Sequence, residues 1–261
     1  MDIKKISGVL RAIGGSQRDK SYTSAIIAAA GLSRRFGGEV TKQMTELCGV
    51  PLLVHTLKAY EQADCIHEIV IVARDDEIPF WEKLCADHGI SKVSRIVKGG
   101  ETRQESVLNG LEATSPESRF VAIGDGARCL ITPEQITEVC HAAYKYHAAT
   151  AAHRATDTVK LANKRGFIES TTDRDTVWLA GTPQVFKTSL YRAAAYTALD
   201  KGIQATDDNA LVEALGHRVR LVECGAQNIK ITTKEDIAVA EGVLAHRAKM
   251  RAEAIADGNE V

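Results

Sequence analysis

The sequence predicts an α/β fold in which a mainly parallel sheet carries helices on both faces and a β-arm protrudes from it. Apolar runs typical of buried strands alternate with segments of helical periodicity along most of the chain. One polar stretch, 156–173, interrupts this alternation with the short periodicity of a hairpin. No repeat, low-complexity block or linker divides the remainder, so we expect one domain over 24–250.

The part of the chain before the arm supplies alternating strand and helix candidates. The strand candidates are short runs rich in alanine and β-branched residues: Ala25–Ala30, Glu68–Ala73, Lys92–Val97, Phe120–Ile123 and Thr150–His153. The helix candidates have apolar residues three and four positions apart: Pro51–Ala63, Asp75–His88, Thr102–Ala113 and Pro133–His147. This order is typical of parallel strands joined by crossover helices.

The same alternation resumes after the arm. The helix candidates are Thr188–Asp200, Asp207–Leu215 and 233–247 or beyond, with caps expected at 187–188, at Thr206 and at 232–233. The strand candidates are Val219–Val222 and Asn228–Ile231. We expect both ends to lie outside the fold, 1–23 as a polar tail or a basic surface arm and 251–261 as a frayed end.

The stretch 156–173 is interpreted as a protruding β-hairpin arm. Its apolar residues alternate with polar ones on either side of Lys164, Arg165 and Gly166. A two-stranded hairpin is only marginally stable alone in water. We therefore expect the arm to pack on a second copy of the chain, which predicts a homodimer.

Composition excludes several classes of protein. The 261 residues carry 33 Lys plus Arg against 34 Asp plus Glu, and this net charge of −1 argues against a broad nucleic-acid-binding surface. The six cysteines are scattered without CxxC pairs, and the histidines show no metal-ligand spacing. We therefore expect reduced thiols and a cytoplasmic protein. No apolar run approaches the roughly 20 residues that cross a bilayer.

The stretch 24–43 is the first candidate functional element. Its apolar run ends in small residues and Gly31, and Arg35 and Lys42 follow. Exposed backbone N–H groups after a strand, with cations nearby, favour a polyphosphate ligand. The phosphate-loop pattern GxxxxGK[ST] and the dinucleotide pattern GxGxxG are both missing, which argues against a dinucleotide-dependent oxidoreductase. An ordinary strand-to-helix turn with solvated arginines stays open as the alternative.

Two further loops are expected at the same edge of the sheet. Gly99 and Gly100 follow one strand candidate, and the loop 124–128 follows the next. Ligands of parallel α/β sheets bind beyond the carboxyl ends of the strands. The three loops should therefore converge on one site.

Seven segments in a fixed order carry a family resemblance. They read AAAGLSRRF with TKQ, KGGETRQESVLNGL, GDGARCLI, DTVK, TPQVF, TDDNALVEALG and QNIKITTKEDIAVAE. From about 24 to 244 the chain resembles the 2-C-methyl-D-erythritol 4-phosphate cytidylyltransferases. The resemblance implies a Rossmann-like nucleotidyltransferase domain and a homodimer in which each β-arm completes the partner's site. It also implies CTP and a polyol phosphate as substrates, with Mg²⁺ held mainly by the CTP phosphates and no protein metal ligand.

The resemblance also implies roles for individual residues. The cations expected to act on the triphosphate and the reacting phosphorus are Arg35, Lys42 and Lys230. The residues expected beside the nucleotide are Ala29, Ala30, Gly31, Gly99, Gly100, Glu101, Ser106 and Asp125. The residues expected at the sugar phosphate are Arg128, Thr158, Arg174 and Thr182, of which Thr158 and Arg174 act across the dimer interface. Arg103 is expected only to brace its loop.

Simpler interpretations of some of these residues stay open. Arg35 and Lys42 are compatible with solvated surface charges, and Asp125 with a helix cap. Thr158 and Arg174 are compatible with a role in stabilising the arm alone.

The sequence departs from the family pattern in three places. Thr41 stands where proline usually precedes the lysine, Glu101 stands where aspartate is common, and the loop that typically reads HDAARP is GDGARC. Because that loop is expected beside the sugar phosphate, we expect its backbone to be more flexible and its contacts to differ.

The implied activity is transfer of CMP from CTP to 2-C-methyl-D-erythritol 4-phosphate in non-mevalonate isoprenoid biosynthesis. A ribitol-5-phosphate cytidylyltransferase has the same fold and CTP-binding segments, so it stays open as an alternative. A paralogue that binds nucleotide without catalysis is a second alternative, which the retained Arg35, Lys42 and Lys230 disfavour.

Overall fold

Eleven strands form within the described part of the chain, which in this computed structural model comprises residues 21–31 and 42–256. They are β1 Thr23–Ala28, β2 Glu46–Leu47, β3 Val50–Pro51, β4 Glu68–Ala73, β5 Val93–Lys98, β6 Phe120–Asp125, β7 Ala148–Arg154, β8 Lys160–Ala162, β9 Ile168–Thr171, β10 Trp178–Lys187 and β11 Arg220–Glu223. Seven of them form one sheet in the order β11-β7-β10-β6-β1-β4-β5. The pairs β2-β3 and β8-β9 form separate two-stranded sheets.

The seven-stranded sheet is mainly parallel, which confirms the predicted fold class. Strand β1 lies between β4 and β6 and runs parallel to both. Strand β5 is parallel to β4, and β11 is parallel to β7. Strand β10 is antiparallel to both of its neighbours, β6 and β7.

Helices cover both faces of this sheet, as predicted. They are α1 Leu52–Gln62, α2 Ile78–Asp87, α3 Arg103–Ala113, α4 Pro133–Tyr146, α5 Thr188–Asp200, α6 Asp208–Ala214 and α7 Glu235–Ala256. Successive residues of β1 point to opposite faces. Ala25 and Ile27 therefore pack in one core with α1, α2 and α4, whereas Ile26 packs in a second core with α3, α5 and α6.

Several predictions about the second half of the chain were wrong. Asn228–Ile231 is not a strand, and β10 was not predicted at all. The cap of α6 is Asp207 and not Thr206, since the Asp207 carboxylate accepts the N–H of Ala210 at 3.1 Å. Helix α7 continues to Ala256, so 251–256 are helical instead of frayed. Of the tail predicted over 1–23, residues 1–20 lie outside the described residues and Thr23 belongs to β1.

The stretch 156–173 contains the antiparallel pair β8-β9, which is separate from the main sheet. All residues of both strands are exposed. Within the described residues, no helix combines the length and the apolarity needed to cross a bilayer.

A buried carboxylate at the amino-terminal end of β4 ties three segments together. Glu68 accepts hydrogen bonds from the Ser24 hydroxyl at 2.5 Å and the Ser115 N–H at 2.6 Å. Its second oxygen accepts from the Ser94 hydroxyl at 3.1 Å. The carboxylate thus joins β1, β5 and the turn before β6.

We predict that Glu68→Ala lowers the free energy of unfolding by about 2–3 kcal/mol, because it leaves buried donors without an acceptor. Chemical denaturation monitored by circular dichroism measures this change. The matched control is Glu112→Ala, since Glu112 makes an exposed ion pair with Arg192 that is worth about 1 kcal/mol or less. Equal losses in the two variants would contradict the prediction.

Candidate active site

A cavity of about 810 Å³ lies beyond the carboxyl ends of β1, β4, β5 and β6. Crevices at this edge of open parallel sheets are the usual ligand sites of such folds. Nine of the predicted site residues line it: Ala30, Gly31, Lys42, Gly99, Gly100, Glu101, Ser106, Asp125 and Lys230. The three loops that were expected to converge therefore do so.

The first wall of the cavity is the segment that follows β1. Ala30 and Gly31 continue the strand to the cavity edge, and a Cβ atom placed on Gly31 would meet open space. The described chain resumes at Lys42, which begins a short 3₁₀ turn over Lys42–Met44. Arg35, predicted to act with Lys42, lies outside the described residues.

The second wall is the glycine loop after β5. A Cβ atom on Gly99 would lie 2.5 Å from the Cβ of Ala30, so only glycine lets the two loops approach this closely. The hydroxyl of Ser106 accepts the N–H of Gly100 at 3.0 Å and donates to the carbonyl of Thr102 at 2.8 Å. Thr102 also caps α3 in a reciprocal capping box. The loop is therefore rigidly held at the cavity edge.

The floor of the cavity carries a nearly buried carboxylate surrounded by cations. Asp125, the last residue of β6, is 8% exposed. One oxygen lies 2.8 Å from the Lys230 ammonium and 3.7 Å from Arg128 Nε, and the other lies 3.5 Å from Arg103 Nε. Burial raises the pKa of the Asp125 carboxyl, but these cations, Lys230 foremost, outweigh burial and hold that pKa below its ordinary value. Asp125 therefore stays ionised.

Lys230 reaches the floor from the loop between β11 and α7. The next residue, Ile231, is buried and donates its N–H to the carbonyl of Ala127 at 2.9 Å. This bond docks the lysine's segment on the loop that follows Asp125. The Lys230 side chain is 41% exposed, so its ammonium group can contact both the carboxylate and a ligand in the cavity.

This arrangement suits an anionic ligand that carries several phosphates. Lys42 and Lys230 come from distant parts of the sequence and line the same cavity, beside a closely packed glycine loop. Lysine is a common phosphate-binding residue, and fixed cations stabilise charge that develops at a phosphoryl group. Among the described residues, no group of three or more His, Cys, Asp or Glu side chains is placed to hold a metal ion.

A comparison with known protein families shows which family this chain resembles. Residues 23–246 match the family model described as IspD: 2-C-methyl-D-erythritol 4-phosphate cytidylyltransferase. The chain belongs to this cytidylyltransferase family. The match covers the whole sheet, every helix through the first half of α7, and all residues that line the cavity.

Individual relatives in the cytidylyltransferase family are similar over nearly their whole length. A 2-C-methyl-D-erythritol 4-phosphate cytidylyltransferase of Pelotomaculum thermopropionicum is 43% identical over 232 residues, which cover 88% of this chain and 98% of that protein. The enzyme of that name from Thermosynechococcus vestitus is 40% identical over 85% of this chain and 95% of its own.

Solved structures of the family have the same fold. The 4-diphosphocytidyl-2C-methyl-D-erythritol synthase of Anaerococcus prevotii superposes with a TM-score of 0.77 at 31% identity, over 87% of this chain and all of that chain. The Thermus thermophilus 2-C-methyl-D-erythritol 4-phosphate cytidylyltransferase superposes with a TM-score of 0.70 at 31% identity, over 85% of this chain and 98% of its own.

Three of the predicted residues lie behind the cavity instead of lining it. The N–H of Ala29 donates to the carbonyl of Val72 at 2.8 Å. The Thr182 hydroxyl accepts the N–H of Asp125 at 3.0 Å, and the Arg128 guanidinium donates to the carbonyl of Asn228 at 2.5 Å. Burial lowers the pKa of Arg128, although Asp125 opposes this shift. In this single chain, Thr182 therefore holds the backbone of Asp125, and Arg128 Nε lies 3.7 Å from its carboxylate.

Thr158 and Arg174 lie at the base of the hairpin and are exposed. Arg174 donates to the carbonyl of Thr156 at 3.0 Å. Neither residue lines the cavity of its own chain. The structure of one chain therefore does not bring them to the candidate active site.

The three departures in the GDGARC loop, at Gly124, Gly126 and Cys129, do not line the cavity. A Cβ atom on Gly124 would lie 2.4 Å from the hydroxyl oxygen of the buried Tyr60, and one on Gly126 would lie 2.9 Å from Leu53. Cys129 is buried in the core that contains α7. The three side-chain positions therefore face the protein interior, and the expected changes in backbone flexibility and in ligand contacts stay predictions.

Four charged residues that line the cavity were not among the predicted site residues. Arg74, Asp75, Asp76 and Lys98 lie at the ends of β4 and β5. They form exposed ion pairs, Arg74 with Asp76 at 2.6 Å and Lys98 with Asp75 at 3.2 Å. Their position directly after predicted strands was the signal that could have identified them.

Proposed function

We propose that this protein transfers CMP from CTP to 2-C-methyl-D-erythritol 4-phosphate, giving the CDP-alcohol and pyrophosphate. The observation that carries the proposal is the presence of Lys42 and Lys230 in one cavity beside the Gly99–Gly100 loop, in a chain of this family. The reaction brings two polyanions together, so fixed cations address its main electrostatic obstacle.

In the proposed reaction, a phosphate oxygen of the acceptor attacks the α-phosphorus of CTP. The new P–O bond forms as the bond from the α-phosphorus to the bridging oxygen breaks, and pyrophosphate leaves with that electron pair. The attacking oxygen is already anionic, so a strong general base is not required. Lys42 and Lys230 neutralise charge that builds on the α-phosphoryl oxygens and the leaving group.

The contact between Lys230 and Asp125 gives the lysine a defined starting position. Its ammonium group lies 2.8 Å from the carboxylate before nucleotide enters. Lysine has three donors, so a phosphate oxygen can be bound without loss of the Asp125 contact. Asp125 thus orients Lys230 towards the cavity.

The rest of the lining supports a nucleotide. We propose that Ala30 and Gly31 lie beside the triphosphate, and that the loop formed by Gly99, Gly100 and Glu101 holds the cytosine and the ribose. Ser106 stabilises this loop through its hydrogen bonds to Gly100 and Thr102.

Mg²⁺ is proposed to enter with CTP and to be held mainly by its phosphate oxygens and water, as is usual for this ion. Bound there, it neutralises phosphate charge and orients the leaving group. The donor set fits this arrangement. Asp125, the carboxylate on the cavity floor, already faces three cations and is therefore not assigned as a metal ligand.

The acceptor is proposed to bind between two subunits. The arm carries exposed apolar side chains, with Phe167 62% and Ile168 64% exposed, and exposed apolar patches mark interfaces. Packing of the arm on a partner would carry Thr158 and Arg174 to the partner's cavity, where Arg174 would add a cation for the sugar phosphate. The polyol phosphate would then be held by both chains.

We predict that Phe167→Glu combined with Ile168→Glu converts a dimer into monomers and lowers kcat/KM for the acceptor at least about tenfold, because charge opposes burial at the interface. Analytical ultracentrifugation and steady-state kinetics measure the two effects. The control is Leu199→Glu, since Leu199 is exposed on α5 away from the arm. A wild-type protein that is monomeric at micromolar concentration would overturn the dimer proposal.

Pyrophosphate release from purified protein tests the activity. The assay combines CTP, UTP or ATP with either 2-C-methyl-D-erythritol 4-phosphate or ribitol 5-phosphate in the presence of Mg²⁺. We expect the highest kcat/KM for CTP with the methylerythritol phosphate. Faster turnover of ribitol 5-phosphate would reassign the acceptor, and CTP binding without any release would indicate a nucleotide-binding protein that lacks catalysis.

A cytoplasmic location is also proposed. All six cysteines are free thiols, and four of them are buried. Unpaired cysteines are typical of a reducing compartment.

A further inference from the structure

A buried ion pair lies directly behind the cavity floor. Asp208, the first residue of α6, has a side chain that is 1% exposed and does not line the cavity. Its Oδ2 atom lies 2.7 Å from Nη1 of Arg103. Arg103 does line the cavity, and its side chain is partly exposed there. The pair therefore connects the protein interior to the site.

Asp208 is held by groups from two other elements. The hydroxyl of Tyr191, on α5, donates to Oδ1 at 2.6 Å. The backbone N–H of Asp208 donates to Gln184 Oε1, on β10, at 2.9 Å. The Tyr191 contact orients the carboxylate, and the Gln184 contact holds the backbone of Asp208.

Arg103 is consequently held between two carboxylates. While Nη1 pairs with Asp208, Nε lies 3.5 Å from Asp125. Burial lowers the pKa of Arg103, but Asp208 and then Asp125 outweigh it and raise that pKa above its ordinary value. The guanidinium group is thus a permanent cation that joins the interior carboxylate to the one that binds Lys230.

Stabilisation of the fold does not by itself explain the buried ion pair between Asp208 and Arg103. The free energy needed to remove two charges from water can exceed the free energy of their attraction, and replacement of a buried ion pair by apolar residues is often neutral for stability. A guanidinium group that lacked such a carboxylate partner at a cavity wall would form strong bidentate contacts with phosphate. Such contacts would hold the triphosphate in its ground state and away from the two lysines.

We propose that Asp208 is a positioning residue for nucleotidyl transfer: it holds Arg103 against Asp125 and keeps the guanidinium group off the triphosphate. This inference rests on the proposed function. Because Asp208 acts through Arg103, its removal changes how CTP is placed and leaves the residues that contact the reacting atoms intact. The effect should appear in kcat before it appears in the binding of CTP.

The test is Asp208→Asn, which removes the charge and keeps an oxygen for Tyr191. We expect kcat to fall about tenfold, as misplacement of reacting groups does, while KM for CTP stays constant or falls. The matched control is Asp207→Ala, the neighbouring cap of α6, which does not contact Arg103. It should lower Tm by about 2–4 °C and leave kcat within about twofold.

Each outcome decides the proposal. An unchanged kcat in Asp208→Asn, or a fall in kcat with a raised KM for CTP, overturns it. If wild-type protein releases no pyrophosphate, the proposed function fails instead, and the two failures are therefore distinguishable.

A second pair of variants keeps the proposal testable if Asp208→Asn does not fold. Tyr191→Phe removes the hydroxyl that orients Asp208 and should lower kcat about threefold, by the same misplacement. Arg103→Gln should have the same kcat alone as together with Asp208→Asn, because Asp208 acts only through Arg103 and residues that act as one unit are not additive. Additive losses, or an unaltered kcat in Tyr191→Phe, would contradict a role exerted through Arg103.

Discussion

Lys230→Ala is expected to lower kcat by roughly 10²–10³, by analogy with the loss of one well-placed oxyanion donor. The Lys230 ammonium group lies 2.8 Å from Asp125, and its side chain is 41% exposed at the cavity. It is thus held at the floor and accessible to a phosphate. Initial rates of pyrophosphate release at saturating CTP and acceptor measure the change.

The fold should survive this replacement. Asp125 keeps Arg103 and Arg128 as cationic neighbours, so its carboxylate is not left as an uncompensated buried charge. The matched control is Lys234→Ala, since Lys234 is exposed four positions further on and does not line the cavity. Near-normal turnover of a folded Lys230→Ala protein would falsify the electrostatic account of catalysis.

The most accurate predictions were those of strands that are buried on both faces. Glu68–Ala73 was predicted to the residue, because every position of β4 is buried and the apolar run is continuous. Strand β10 was missed for the opposite reason. Its centre reads Gly181, Thr182 and Pro183, which are turn-forming residues, and the pairing with β7 is irregular there.

The segment Asn228–Ile231 shows how an alternating pattern can mislead. Ile229 and Ile231 alternate with polar residues, as in a half-buried strand. In the structure these isoleucines pack with α7, and the N–H of Ile231 pairs with the carbonyl of Ala127. The alternation reflects the docking of a loop, which places Lys230 at the cavity while Asn228 is buried and donates to the carbonyl of Thr182 at 2.9 Å.

The residues that line the cavity were predictable from topology, whereas the contacts that hold those residues in place were not. Parallel strands bring their carboxyl ends to one edge, so Gly31, Gly99 and Asp125 had to lie near one another. The pairing of Arg103 with Asp208 depends on how α6 packs beside α3 on one face of the sheet, and local sequence does not encode that placement. The same holds for Gly124, whose role is to leave space for Tyr60 from another element.

Lys42→Ala is expected to lower kcat by roughly 10²–10³, since a donor aimed at developing charge is lost. Lys42 begins the 3₁₀ turn that precedes α1, and this turn is fixed where the Leu52 N–H donates to the carbonyl of Thr45 at 2.8 Å. The turn therefore places the lysine at the cavity wall. Single-turnover measurements with saturating CTP isolate the chemical step from substrate binding.

The matched control for Lys42 is Lys98→Ala, because Lys98 lines the same cavity in an exposed ion pair with Asp75. If general positive charge were sufficient, both variants would lose activity equally. If position decides, Lys98→Ala should stay within about fivefold of wild type, as removal of a screened surface charge does. A Lys42→Ala protein that raises KM for CTP at constant kcat would show that this lysine binds ground and transition states equally, and so does not stabilise the transition state.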